Sequence, residues 1–140
     1  MTSAATEQLS ERFTHTDTTA EAMSAYIVAV RGANPATPED APVAHLSGLD
    51  TSIPTNPSVT TVSPNALVLW HEGLTGRAVS SVTPRFGVTL LQSTGATDSN
   101  SGVAVVLWTV PGATPPGQWL NSGASNTADF HTLTVAVRPL

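Results

Sequence analysis

Histidine is the residue type with the widest chemical range in this sequence, because a neutral imidazole binds metal ions and transfers protons near neutral pH. No histidine has a metal-ligand spacing such as His-x-His or His-Glu-x-x-His. His71 and Glu72 are adjacent, so on a strand they point to opposite faces. The sequence therefore predicts no metal site, and leaves open only a meeting of distant histidines in the fold. The four are His15, His45, His71 and His131.

The motifs of nucleophilic and phosphate chemistry are also missing. The chain has no cysteine and no Gly-x-Ser-x-Gly elbow that would expose a serine. The segment from Gly73 to Arg77 is too short for a phosphate-binding loop and lacks its lysine. Glu39 and Asp40 are adjacent acids in a Pro-rich stretch, and we interpret them as solvated charges. We predict no catalytic residues and no cofactor.

The large aromatic side chains allow two interpretations. Trp70, Trp108, Trp119 and Tyr26 are expected to fill a core or a subunit interface, with their polar atoms reaching a partner at its edge. An exposed row of the same residues would instead bind carbohydrate. The sequence favours the first interpretation and keeps the second as an alternative.

Charge disfavours two classes of partner. The net charge is −5, and all five basic residues are scattered arginines. Nucleic-acid binding depends on clustered positive charge that displaces counterions from phosphates, so it is not predicted. An anionic membrane surface needs a similar basic cluster, and the apolar runs are too short to span a bilayer.

The last strand is the clearest structural element. Residues 129–138 alternate, with His131, Leu133, Val135 and Val137 on one face and threonines on the other. We expect the apolar face to pack on the core. Pro139 ends the strand because it has no N–H for a further rung.

We predict that upstream segments form further strands that pair with this one. Residues 24–30, 66–71 and 103–108 are strong strands, and residues 13–16, 59–62, 86–91 and 118–120 are weaker ones. Residues 24–30 are apolar on both parities, which predicts cover on both faces. About eight strands with Gly and Pro punctuation favour an all-β fold, a two-sheet antiparallel β-sandwich or jelly roll. We assign residues 13–140 to this domain and residues 1–12 to a short N-terminal arm.

A Pro-rich stretch, residues 33–57, separates the strong strands. It carries five prolines and few long apolar runs, so we predict a long surface loop with fixed turns. A loop this long in a small domain is usually functional or ordered against a neighbour.

Several segments together resemble a known module. They are residues 26–38, whose centre reads Arg31-Gly32-Ala33-Asn34-Pro35, and residues 59–69, 84–91, 112–119 and 132–139. Their order resembles a β-sandwich module of virion proteins of tailed phages, especially phages of actinobacteria, found in tail-fibre-like and capsid-surface proteins. The similarity runs from about residue 13 to the end. Longer members carry further strands before this region, which implies either a reduced domain or a sheet completed by another subunit.

The resemblance implies a structural role without catalytic residues. For a chain of this size it implies a capsid decoration (cementing) protein, a homotrimer that binds the major capsid protein on the outer surface of the virion and stabilises it. The alternative is a receptor-binding or carbohydrate-binding module of a tail tip or tail fibre. We expect the arm and the Pro-rich loop to make the partner contacts, through Leu9, Arg12, Phe13, Pro35, Pro38 and Pro54.

Deleting residues 1–12 should weaken capsid binding or oligomerisation while the domain stays folded, because the arm is predicted to contact a neighbour and not the core. Circular dichroism checks the fold and capsid co-sedimentation checks the binding. Full occupancy of the capsid by the truncated chain would remove the anchoring role from the arm.

Overall fold

A computed structural model describes residues 26–49, 53–75, 81–84, 87–95, 99–122 and 129–140. These residues form ten strands and no helix, and every strand pair is antiparallel, so the predicted all-β class is confirmed. The strands are β1 (Glu39–Leu49), β2 (Thr55–Asn56), β3 (Thr60–Thr61), β4 (Ala66–Thr75), β5 (Ser81–Pro84), β6 (Thr89–Gly95), β7 (Ser99–Trp108), β8 (Gly112–Ala113), β9 (Gly117–Ser122) and β10 (Asp129–Val137).

The largest unit is a five-stranded sheet in the order β1-β10-β4-β7-β6. The last strand lies inside it, paired along its whole length with β4 and along most of it with β1. β-Branched residues suit such a position because their stiff side chains pack well on a pleated surface. The predicted organising role of the last strand is therefore matched by its place in the sheet.

A second layer of short strands covers one face of this sheet. It consists of a three-stranded sheet, β2-β9-β5, and a two-stranded sheet, β3-β8. Trp119 and Val59 of this layer pack against Trp70, Val68 and other residues of the large sheet. Trp70 and Trp119 are almost fully buried, which confirms the predicted core role of these two tryptophans. The arrangement is compatible with a β-sandwich.

The buried face of β10 is the threonine face, which corrects the prediction. Thr132 and Thr134 are buried together with Phe130 and Ala136, whereas the Leu133 and Val135 face is only half-buried. The Thr132 hydroxyl donates to the Thr55 carbonyl at 2.8 Å, and the Thr134 hydroxyl donates to the Pro57 carbonyl at 2.8 Å. A buried hydroxyl with such a partner avoids the penalty of an unsatisfied polar group.

Asn56 adds a second polar connection between the layers. Its side-chain nitrogen donates to the carbonyls of His71 at 3.0 Å and Leu133 at 2.7 Å. Its side-chain oxygen accepts the indole N–H of Trp119 at 2.6 Å. One fully buried side chain thus joins β4, β10 and β9.

The Pro-rich stretch is not one long loop. Residues 39–49 form β1, at the edge of the large sheet, and the pairing register shifts around Pro42, between Ala41 and Ala44. Edge strands and irregularities are the places where a strand tolerates proline, because the missing N–H is not needed there. The prediction failed because prolines were taken to exclude a strand.

Residues 26–30 also differ from the prediction, since they belong to no sheet. Ile27 is 71% exposed, so this segment is not covered on both faces. Strands β4 and β7 are longer than predicted, reaching Thr75 and starting at Ser99. The arm and the predicted strand at residues 13–16 lie outside the described residues.

Replacing Gly117 with alanine should lower the free energy of unfolding by about 1–3 kcal/mol, the usual effect of overpacking a core. A Cβ atom at Gly117 would lie 2.6 Å from Cδ2 of the Trp70 ring, closer than two carbon atoms can pack. Urea denaturation measures the change.

Gly73→Ala is the matched control, because its Cβ would lie 3.8 Å from Cε1 of His71, an ordinary contact. Equal stability of the two variants would contradict the position of Trp70 against β9.

Candidate functional site: the open face of the large sheet

The face of the large sheet that points away from the second layer is apolar, and we call it the open face. Its residues alternate with those of the buried face along each strand, because successive side chains of a strand point to opposite sides. Most of its central residues are half-buried; Val103 is buried and Leu107 is 57% exposed. These residues are Leu67, Leu69 and His71 of β4, Val103, Val105 and Leu107 of β7, and Leu133, Val135 and Val137 of β10.

Residues 26–30, which we call the strap, lie over part of this face. The Tyr26 hydroxyl donates to the Ser101 carbonyl at 2.8 Å, and the Tyr26 ring meets the His71 ring edge-on, with centroids 6.0 Å apart. Just beyond the other end, the Leu140 N–H donates to the Gly32 carbonyl at 2.9 Å. The strap is therefore anchored at both ends but pairs with no strand.

A groove remains between the strap and the sheet. Its volume is about 370 Å³, and its walls are Tyr26, Val28, Leu69, His71, Val103, Leu133 and Val135. Burial lowers the pKa of His71 below its ordinary value of 6.5, because a charged imidazole loses hydration there. The groove is thus apolar and uncharged at neutral pH.

Polar residues flank the apolar centre on both sides. On β1, His45 lies opposite Leu133 and is exposed. On β6, Gln92 lies opposite Val103 and is also exposed. An apolar centre with a polar rim is the usual anatomy of a surface that binds another protein.

Two of the predicted contact residues lie at one end of the open face. The Asn34 side-chain oxygen accepts the N–H groups of Ala36 and Thr37, at 3.0 and 3.1 Å, which fixes a turn. The backbone N–H of Arg138 donates to the Pro38 carbonyl at 2.8 Å, which places this turn beside the end of β10. Pro35 and Pro38 are exposed there.

The remaining predicted contact residues do not join them. Pro54 is almost fully buried, and its carbonyl accepts the backbone N–H of Trp119 at 3.0 Å. A residue in that position cannot meet a partner, so Pro54 is removed from the contact set. Leu9, Arg12 and Phe13 lie outside the described residues.

Asp40 is a buried ion-pair residue and not a solvated charge. One carboxylate oxygen accepts from Arg138 Nε at 3.2 Å, and the other accepts from the N–H groups of Val62 and Ser63 at 2.8 and 3.1 Å. Burial alone would raise the pKa of Asp40, but the hydrogen bonds from Ser63, Val62 and Arg138 outweigh it and lower the pKa. Of the two acids, only Glu39 is exposed as expected.

Other chemistry-bearing residues are dispersed. His45 and His131 are exposed, His71 faces the groove, and Glu72 points into the core, on the opposite face from His71 as expected. Within the part of the chain that the structure describes, no three His, Asp or Glu side chains form a group that could hold a metal ion. The same part contains no helix long and apolar enough to cross a membrane.

No family model, curated protein or solved structure matches the chain significantly. The resemblance to phage virion modules therefore stays a prediction.

Lowering the pH from 8 to 5 should reduce the free energy of unfolding, and His71→Gln should remove much of this dependence. The unfolded chain takes up a proton on His71 near pH 6.5, whereas the folded chain resists protonation, so acid favours unfolding. Asp40 titrates below its ordinary pKa of 3.8 and stays ionised over this range. Denaturation at several pH values measures the slope.

His131→Gln is the matched control, because His131 is exposed on the same face. An unchanged slope in His71→Gln would show that the His71 ring is not desolvated.

Asp40→Asn should lower the free energy of unfolding by about 1.5–3 kcal/mol, the usual range for a lost hydrogen bond to a charged group. The amide has one acceptor oxygen where the carboxylate has two, and it leaves Arg138 without its counter-charge. Glu39→Gln, an exposed neighbour, is the control and should change little. Equal effects of the two substitutions would contradict the ion pair.

Proposed function

We propose that this chain is a structural protein of a tailed-phage virion, and more specifically a capsid decoration protein that binds and stabilises the outer capsid. The virion assignment rests on the resemblance of residues 26–38 and the four later segments to modules of such proteins. The mode of action rests on the structure. The protein acts by packing an apolar surface against neighbouring subunits.

The open face is the observation that carries this proposal. A monomeric protein normally covers a broad apolar sheet face, because burying apolar surface contributes about 25 cal/mol per Å². Here the second layer covers one side of the large sheet, whereas over the other side only the strap lies among the residues that the structure describes. The exposed Pro35 and Pro38 turn lies beside the end of β10.

A catalytic role finds less support. Among the described residues, the walls of the groove carry one phenol and one imidazole beside apolar side chains, and no carboxylate or serine. A general base without a nucleophile or an acid partner does not assemble a reaction site.

The carbohydrate-binding alternative loses its expected platform. Trp70 and Trp119 are buried, and Trp108 is half-buried and packs against the core. Tyr26 is half-buried, with its ring against His71. Stacking on a sugar ring needs a row of exposed aromatic faces, which these four residues do not form.

The experiment is to locate the chain in purified virions of the phage whose genome encodes it. Cryo-electron microscopy should show density at regular positions on the outer capsid. That density should disappear when the gene is deleted and return when the recombinant chain is added. Density confined to the tail, or virions in which mass spectrometry finds no copy of the chain, would contradict the proposal.

A further inference from the structure

We infer that the open face of one copy is covered by the open face of a second copy of this chain, in a two-fold symmetric contact. The inference deepens the proposed function, because it names the partner of the surface on which that proposal rests. Three observations on the described residues support it: the area of the face, the lack of charge at its centre, and the position of its most exposed apolar side chains.

The area suits a protein partner. Five strands about 4.8 Å apart and about 27 Å long give a face of about 650 Å². Two such faces in contact would bury about 1,300 Å², just above the lower limit of about 1,200 Å² for specific interfaces. A ligand in the groove alone would leave most of the face uncovered.

The absence of charge points to a second copy. The central residues of the open face include no Asp, Glu, Lys or Arg, and His71 stays neutral because burial lowers its pKa. The charged Glu39 and Asp129 lie at the ends of the face, opposite Val137 and Thr75. A partner recognised through charge would require complementary groups on this face. The chain has a net charge of −5, so two copies repel each other except where a surface is uncharged.

The exposed apolar side chains lie where a second copy would meet them. Ile27 is 71% exposed on the strap, and Val28 beside the groove is 38% exposed. Leu107 is 57% exposed near the other end of the face, where it shares a smaller cavity with Val30. These side chains gain most when the face is covered, whereas they contribute little to the fold of one copy.

Self-complementarity determines the symmetry. In an isologous contact the same patch serves on both subunits, so the contact closes with two copies. A ring of three copies requires the open face to meet a different surface of its neighbour. The structure therefore favours a dimer through this face, and the homotrimer implied by the resemblance becomes a competing outcome.

Sedimentation velocity of the full chain tests the inference. The wild-type protein should sediment as a dimer that dissociates on dilution. The double variant Ile27→Asp/Leu107→Asp should raise the dissociation constant by about 100-fold or more, because each new carboxylate would be buried against an apolar surface without a partner. Circular dichroism and urea denaturation should show an intact fold, since both residues are mostly exposed.

The matched control is Val62→Asp/Val110→Asp. These residues are 61% and 67% exposed, and neither lies in a strand of the large sheet. The control carries the same added charge and should remain dimeric. If both double variants weaken association equally, charge alone is responsible and the open face is not the contact.

Two further results would overturn the inference. A wild-type chain that is monomeric at every concentration would show that something other than a second copy covers the face, such as residues 1–25 or a capsid protein. A trimer would show a head-to-tail contact. Failure here is distinct from failure of the proposed function: a dimer absent from capsids keeps the inference, and a capsid-bound monomer keeps only the proposed function.

Discussion

The structure depends on the hydrogen bonds that tie the short second layer to the large sheet. Segments such as 54–58 form few strand-pairing hydrogen bonds, so their buried carbonyls need donors from other parts of the chain. Thr132 and Thr134 supply hydroxyl groups, and Asn56 reaches back to the sheet and to Trp119. Only one face of β10 offers these donors. The second layer therefore packs on the threonine face, although the other face is more apolar.

This packing leaves the apolar face on the outside of the sheet. Leu69, Val105, Val135 and their neighbours gain only partial cover from the strap, which holds on through Tyr26 at one end and the Gly32 region at the other. The same alternation along each strand thus gives the sheet a buried face and the open face on which the proposed association rests. The proposed structural role rests on this division, because an apolar surface without charge at its centre suits the docking of another subunit.

The sequence predicts those elements whose features lie in neighbouring residues. The last strand was predicted within one residue because its alternation and Pro139 are both visible in the chain, and the burial of Trp70 and Trp119 followed from their size. The inner face of β10 was not visible, since hydropathy favours Leu133 over Thr132 and only the fold reveals the carbonyl partners. Strand β1 was missed because Pro42 is acceptable only at an edge, and edge position is a tertiary property. The open face was also missed, because exposure of a sheet face is a tertiary property. The apolar residues on both parities of β4 and β7 were the signal in the sequence that could have indicated it.

The most direct measurement is the solvent exposure of methyl groups by NMR, with a soluble paramagnetic agent added to the methyl-labelled protein. At low concentration the methyl signals of Leu107 and Val135 should broaden strongly, whereas those of Val68 and Leu74 should not. At high concentration the first pair should become protected and the second pair should not change. Strong broadening of Val68 and Leu74, or no change in Leu107 and Val135 with concentration, would contradict the division of the sheet into an inner threonine face and an open apolar face.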